Sequence, residues 1–209
     1  VRGPRPARAV AAALFAAAAV AAALAAATAR AADAARAEEI VGGKCFLCHG
    51  ADGESSSPVF PRLAGQNAAY VARQLADYRS GRRRSTTMQP MVDDLTPADF
   101  AALGAWYASR PTHAHPVADP MLADVGRYIY LRGNPDSGVA ACAGCHGKDG
   151  HGTESLPRLA GQHAQYVENQ LRQFDKRERT NDNTVMHTIA SRLTALETKA
   201  VAAYLSGLK

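Results

Sequence analysis

The sequence predicts an all-α fold in which one small domain occurs twice. Two observations carry that reading. Blocks of residues recur at a near-constant offset along the chain, and no stretch shows the two-residue alternation of a half-buried strand. A third observation fixes what the domains are built around. Cys45-Phe46-Leu47-Cys48-His49 and Cys142-Ala143-Gly144-Cys145-His146 are two copies of Cys-x-x-Cys-His, and together they use all 4 cysteines. This is the attachment signature of a c-type haem, in which both thiols bond to the macrocycle and the His reaches the iron. A redox dithiol of the thioredoxin kind needs a βαβ setting, which no strand pattern supplies here, and a four-thiol zinc site or disulfides would leave the two histidines without a role.

The duplication is extensive. Gly50-Ala51-Asp52-Gly53 returns as Gly147-Lys148-Asp149-Gly150, and Pro61-Arg62-Leu63-Ala64-Gly65-Gln66 returns unchanged from Pro157 to Gln162. Tyr70-Val71 and Gln74-Leu75 return as Tyr166-Val167 and Gln170-Leu171. The offset drifts only between 96 and 98, which means small insertions in loops. Each half holds roughly 80–95 residues, small for a self-sufficient core, so neither is expected to fold well without its haem.

The repeat also proposes the second axial ligand. Met88 stands seven residues before Leu95-Thr96, and Met186 stands seven before Leu193-Thr194. Met91 has Ile189 at its matching position. Met88 and Met186 are therefore the expected sulfur ligands, which raise the potential relative to a second His. Met91 and His187 are the reserves. His113, His115, His151 and His163 lack counterparts and are expected at the surface.

Local signals place the helices. Ala34 to Lys44 reads as a short helix running into the first motif. Asn67 to Ser80 carries Val71, Leu75 and Tyr78 on one face, with Val167, Leu171 and Phe174 repeating the stripe. Thr96-Pro97 starts a helix through Trp106-Tyr107. Thr194 to Glu197 forms a capping box that opens the last helix. Three prolines in the stretch from Arg110 to Pro120, at 111, 116 and 120, predict a non-helical linker, after which Asp119-Pro120 opens the first helix of the second half.

The first residues are read as a leader. Arg2, Arg5 and Arg8 precede an Ala-rich apolar run from Ala9 to Ala29, with Ala27-Thr28-Ala29 or Ala29-Arg30-Ala31 as the cleavage end. An uncleaved anchor, and with it membrane association, is the alternative. The expected boundaries are 1–31 signal peptide, 32–110 first domain, 111–119 linker and 120–209 second domain. The formal charge of +5 belongs mostly to the leader: beyond residue 30 there are 20 basic against 19 acidic residues, which gives nucleic-acid binding no support. Arg82-Arg83-Arg84 and the matching Lys176, Arg177 and Arg179 read by default as solvated loops.

Taken together, the two Cys-x-x-Cys-His-Gly motifs, the Asp-Gly after each, the repeated Pro-Arg-Leu-Ala-Gly-Gln and Tyr-Val-x-x-Gln-Leu, and a Met before each Leu-Thr resemble the two-haem cytochrome c4 family. The resemblance spans nearly all of the chain after the leader. It implies two tandem class I cytochrome c domains about a pseudo-twofold axis, each holding one covalent haem c. It assigns Cys45, Cys48, His49 and Met88 to one haem and Cys142, Cys145, His146 and Met186 to the other. It implies that the carbonyls of Pro61 and Pro157 orient the histidines. Phe46-Leu47 is bulkier than the family's usual pair between the cysteines. The implied role is periplasmic one-electron transfer by a monomer and not an enzyme. Electrons would come from a cytochrome bc complex or a dehydrogenase and pass to a terminal oxidase. A tightly bound electron-accepting subunit of a dehydrogenase, oxidising sulfide or an alcohol for example, is the alternative.

Overall fold

A computed structural model describes residues 6–209, with side chains from residue 15 onward except residue 17. Arg2 and Arg5 lie outside the described residues, as does the side chain of Arg8. The first half contains α1 (Pro6–Ile40), a π-helical turn (Val41–Cys45), α2 (Phe46–His49), α3 (Ala68–Arg79), α4 (Gln89–Val92) and α5 (Pro97–Ala108). The second contains α6 (Pro120–Arg132), α7 (Ala143–His146), α8 (Ala164–Asp175), α9 (Val185–Ala190) and α10 (Ala195–Gly207). Among the described residues the only β feature is an isolated bridge between Asn134 and Val139.

Two separate apolar cores result. The first joins Ala37, Ile40 and Val41 to Val71 of α3 and to Phe100, Leu103 and Tyr107 of α5. The second joins Ile129 and Tyr130 of α6 to Val167 of α8 and to Ala200, Val201 and Leu205 of α10. The predicted stripes are thus the core faces, save that Phe174 is buried beneath Arg179 instead, and matching residues such as Val71 and Val167 do matching work. The helices approach closely where the sequence permits it. A Cβ on Gly126 of α6 would lie 1.8 Å from the Ala200 carbonyl oxygen of α10. A Cβ on Gly104 of α5 would lie 2.4 Å from the Ala68 carbonyl oxygen of α3.

The start signals act as read. Thr96 accepts from the Asp99 N–H at 3.1 Å, while the Asp99 carboxylate accepts from the Thr96 N–H at 2.8 Å and the Thr96 hydroxyl at 2.7 Å. Thr194 and Glu197 repeat the box on α10, and the Asp119 carboxylate caps α6 through the Leu122 N–H at 2.9 Å. Asp99 also receives Arg36 Nε at 2.9 Å, which ties α1 to α5. The Thr96 bonds first, then Arg36, hold the Asp99 carboxyl down to about 2, against a free value of 3.8. A depressed carboxyl stabilises the fold above its free value and loses that contribution as pH falls through the native one. Asp99→Asn is therefore expected to cost about 1 kcal/mol near neutrality. It should also flatten the loss of stability between about pH 4 and pH 2. Thermal melts across that range check both; an unchanged acid slope would remove Asp99 as its source.

The helix leading into the first motif differs from the expected short one. Nothing between Pro6 and Ile40 breaks it, because alanine is the best helix former and fills most of the stretch. It loosens into the π turn only at Val41-Gly42-Gly43, and the haem motif follows directly. The continuous helical stretch Ala18–His49, which runs on past α1, is long and apolar enough to cross a membrane, and its most apolar window has mean hydropathy 1.3 and no burial in the fold. That is compatible with a signal peptide. The second half is built otherwise: Gly133, at φ 74°, ends α6, and a loop precedes Cys142.

Candidate haem sites

Each Cys-x-x-Cys-His lies on a single helical turn. The first and second Cys are three residues apart and the His follows, so all three side chains project from one side. All four thiols are free, and among the described residues no three His, Cys, Asp or Glu side chains converge as a metal site. The zinc and disulfide readings therefore find no assembled site. Burial pushes the Cys45 thiol up, and it pushes Cys142 up to about 11. A redox dithiol needs the opposite shift.

The histidines are held as iron ligands must be. His49 is buried, and its Nδ1 donates to the Pro61 carbonyl at 2.9 Å. His146 is buried, with Nδ1 3.3 Å from the Pro157 carbonyl. In each ring the carbonyl fixes the proton on Nδ1 and leaves Nε2 as the lone-pair donor. Burial lowers both imidazole pKa values and outweighs the opposing carbonyl bond, which favours the neutral form that a metal ligand requires. Gly50 and Gly147, at φ 79° and 80°, end these turns and send the chain away toward the proline loops. Ser55 Oγ, donating to the Cys48 carbonyl at 2.8 Å, braces the first turn.

Both candidate methionines sit at the starts of short helices. Met88 is the cap residue before α4, donates its N–H to Ser85 Oγ at 3.1 Å, and packs against the first core. Met91, on the same helix, is 41% exposed. Met186 lies half-buried in α9. His187, the reserve beside it, has Nδ1 3.0 Å from the Phe174 carbonyl. The donor set of each half, two thiols and a neutral imidazole on one turn with a thioether available, fits a c-type haem.

Between the halves lies a polar seam that the sequence reading did not foresee. Arg83 and Arg179 were expected in solvated loops, yet both are buried; only Arg82, Arg84, Lys176 and Arg177 are exposed. Arg83 donates to Gln74 Oε1 of its own half at 2.8 Å, and to the Tyr166 hydroxyl at 3.0 Å and Gln170 Oε1 at 2.8 Å of the other. Arg179 mirrors this toward Gln170, Tyr70 and Gln74. A guanidinium survives burial there because its donors are satisfied and Tyr78 or Phe174 lies under its face. His163 is a second correction: it is buried, with Nε2 2.8 Å from the Ser55 carbonyl. His115 is half-buried, 3.1 Å from the Glu54 carboxylate, while His113 and His151 are exposed as expected. The repeat held a signal for this seam, since Arg83 and Arg179 each follow their own Tyr-Val-x-x-Gln-Leu at the same distance.

Comparison with known proteins agrees with the geometry. Residues 137–209 match the family model "Cytochrome c", and residues 32–106 match "Cytochrome C oxidase, cbb3-type, subunit III". Cytochrome c4 of Thiocapsa roseopersicina is 44% identical over 170 residues, covering 79% of this chain and 88% of that protein. The thiosulfate dehydrogenase electron acceptor of Thiomonas intermedia is 36% identical over 167 residues, covering 78% and 77%. The crystal structure of reduced recombinant cytochrome c4 from Pseudomonas stutzeri superposes with a TM-score of 0.79 at 34% identity, covering 84% of this chain and 98% of that one. Duplicated all-α architecture, paired attachment turns and this level of identity lead to one conclusion: the chain belongs to the cytochrome c4 family, a cytochrome c with two covalently bound haems that serves electron transport.

Proposed function

We propose that this chain is a periplasmic one-electron carrier with two His/Met-ligated haems. The observation that carries the reading is the equivalent build of both halves: a buried His with Nδ1 against a proline carbonyl, and a Met at one register before each Leu-Thr. Cys45 and Cys48, with His49 and Met88, hold the first haem. Cys142 and Cys145, with His146 and Met186, hold the second. When bound, each haem supplies reversible one-electron exchange. The side chains do the rest. Met88 and Met186 would each supply a thioether to the iron and so keep water and substrate from it, which suits a carrier rather than an enzyme. The Pro61 and Pro157 carbonyls hold each imidazole in one tautomer and orientation, ready for an iron at Nε2. The residues joining the halves, proposed as 111–119, keep one site close to the other.

The leader at 1–31 would direct export and be removed. A cytochrome bc complex or a dehydrogenase would be the donor, and a terminal oxidase the acceptor. A second reading has its own support in the likeness to the Thiomonas intermedia thiosulfate dehydrogenase electron acceptor. There the same haem pair would take electrons from a dehydrogenase bound tightly to it, and stable co-purification with such an enzyme would favour it. The deciding spectrum is that of the mature protein, reduced, with and without carbon monoxide. Two low-spin haems per chain that ignore carbon monoxide are expected; binding by the native protein would mean an open iron and would overturn the carrier reading.

A further inference from the structure

Gln66 and Gln162 close the two copies of Pro-Arg-Leu-Ala-Gly-Gln, and each reaches into the opposite half. Gln162 Oε1 accepts from the Arg62 N–H at 2.9 Å, and Gln162 Nε2 donates to the Arg62 carbonyl at 2.9 Å. Gln66 treats Arg158 in the same way, at 2.8 Å for both bonds. Each side-chain amide thus pairs with one backbone residue as a neighbouring strand would. Both are buried, and each Oε1 also receives the next N–H of its own chain, from Asn67 or His163.

What these glutamines grip matters more than the grip itself. The Arg62 N–H and the Pro61 carbonyl belong to one peptide group. Its oxygen accepts from His49 Nδ1, and its N–H donates to Gln162. The Pro157–Arg158 peptide stands in the same way between His146 and Gln66. Hydrogen bonds in series polarise one another. An acceptor on the peptide N–H pushes electron density onto its oxygen, which then holds the Nδ1 proton more strongly. The imidazole becomes a more basic ligand through Nε2, and a more basic ligand favours ferric iron.

We propose that Gln162 is a positioning residue for His49, and Gln66 for His146, so that each domain sets the potential of the other domain's haem. The inference rests on the reading of His49 and His146 as iron ligands. Gluing the halves together would not by itself produce this pattern, since a loosened interface touches both haems at once.

The test uses the full two-haem protein with Gln162→Met and Gln66→Met, which keep the length and remove the amide. A potentiometric titration follows the ligand-methionine methyl resonance of each ferrous haem by NMR, and Met186→Ala assigns them by deleting that of haem two. Gln162→Met is expected to raise the potential of haem one and leave haem two unchanged; Gln66→Met is expected to do the reverse. Equal shifts on both haems, a shift of the variant's own haem, or no shift would overturn the proposal. Should Gln162→Met lose haem, Gln162→Glu keeps an oxygen for the Arg62 N–H. It is expected to lower haem one more than haem two, and equal lowering would overturn the proposal. If Met186→Ala deletes neither resonance, the ligand reading itself has failed, a result visible before any potential is compared, and the proposal falls with it.

Discussion

Met186→Ala is expected to let about half of the haem bind carbon monoxide, where the native protein binds almost none. The side chain is half-buried at the first turn of α9, and alanine cannot bridge to an iron. Only the second haem should open, because Met88 belongs to the other core. The potential of that haem should fall as well, since the thioether is the ligand that favours ferrous iron. Met88→Ala should give the mirror result. Met91→Ala should leave both spectra intact, since that residue is exposed and has no matching methionine in the second half. Optical titration of each reduced variant with carbon monoxide checks all three. A Met186→Ala protein as closed as the native one would remove Met186 from the ligand set, and a spectral loss in Met91→Ala would move the first ligand there.

Gly126→Ala is expected to destabilise the second domain by about 1–3 kcal/mol, the range for overpacking a tight contact. In an exposed helix the same change would stabilise by about 1 kcal/mol. Contact geometry decides the sign. The new methyl would sit 1.8 Å from the Ala200 carbonyl oxygen, and a backbone oxygen inside α10 cannot rotate away. The α6–α10 pair must separate and loosen Tyr130 and Val201, two of its buried contacts. For a domain this small each kcal/mol lowers the midpoint by about 4–8 °C. Thermal unfolding followed at the haem absorption measures it, and an unchanged midpoint would mean the helices already stand further apart. Gly104→Ala, with 2.4 Å to the Ala68 oxygen, is the matching change in the first domain.

The parts of this molecule governed by local chemistry could be read from the sequence. Thr96, Asp119 and Thr194 cap their helices because a side-chain oxygen needs only the next turn. The stripes of α3 and α8 found their cores because spacing alone selects a face. Tertiary burial could not be read in that way. Arg83 and Arg179 look like solvated charges until the other half supplies the glutamine and tyrosine oxygens that satisfy them. His163 failed for the same reason, its partner lying 108 residues away. The α1 helix overran its expected start because the Ala-rich stretch from Ala7 to Val41 holds no Gly or Pro to stop a helix. The Gln66 and Gln162 exchange lay in plain view as an unchanged hexapeptide, but sequence identity does not say which backbone an amide will grip.

One detail of the seam bears on how such a chain can change over generations. Asn67 and His163 occupy equivalent places, yet the Asn67 amide donates to the carbonyls of His151, Thr153 and Leu156, while the His163 ring meets the Ser55 carbonyl. In a symmetric dimer of separate subunits every substitution appears twice, on both sides of the axis. Joining the copies in one chain removes that coupling. Each side of the seam can then drift alone, and the two redox centres it separates are free to become unlike.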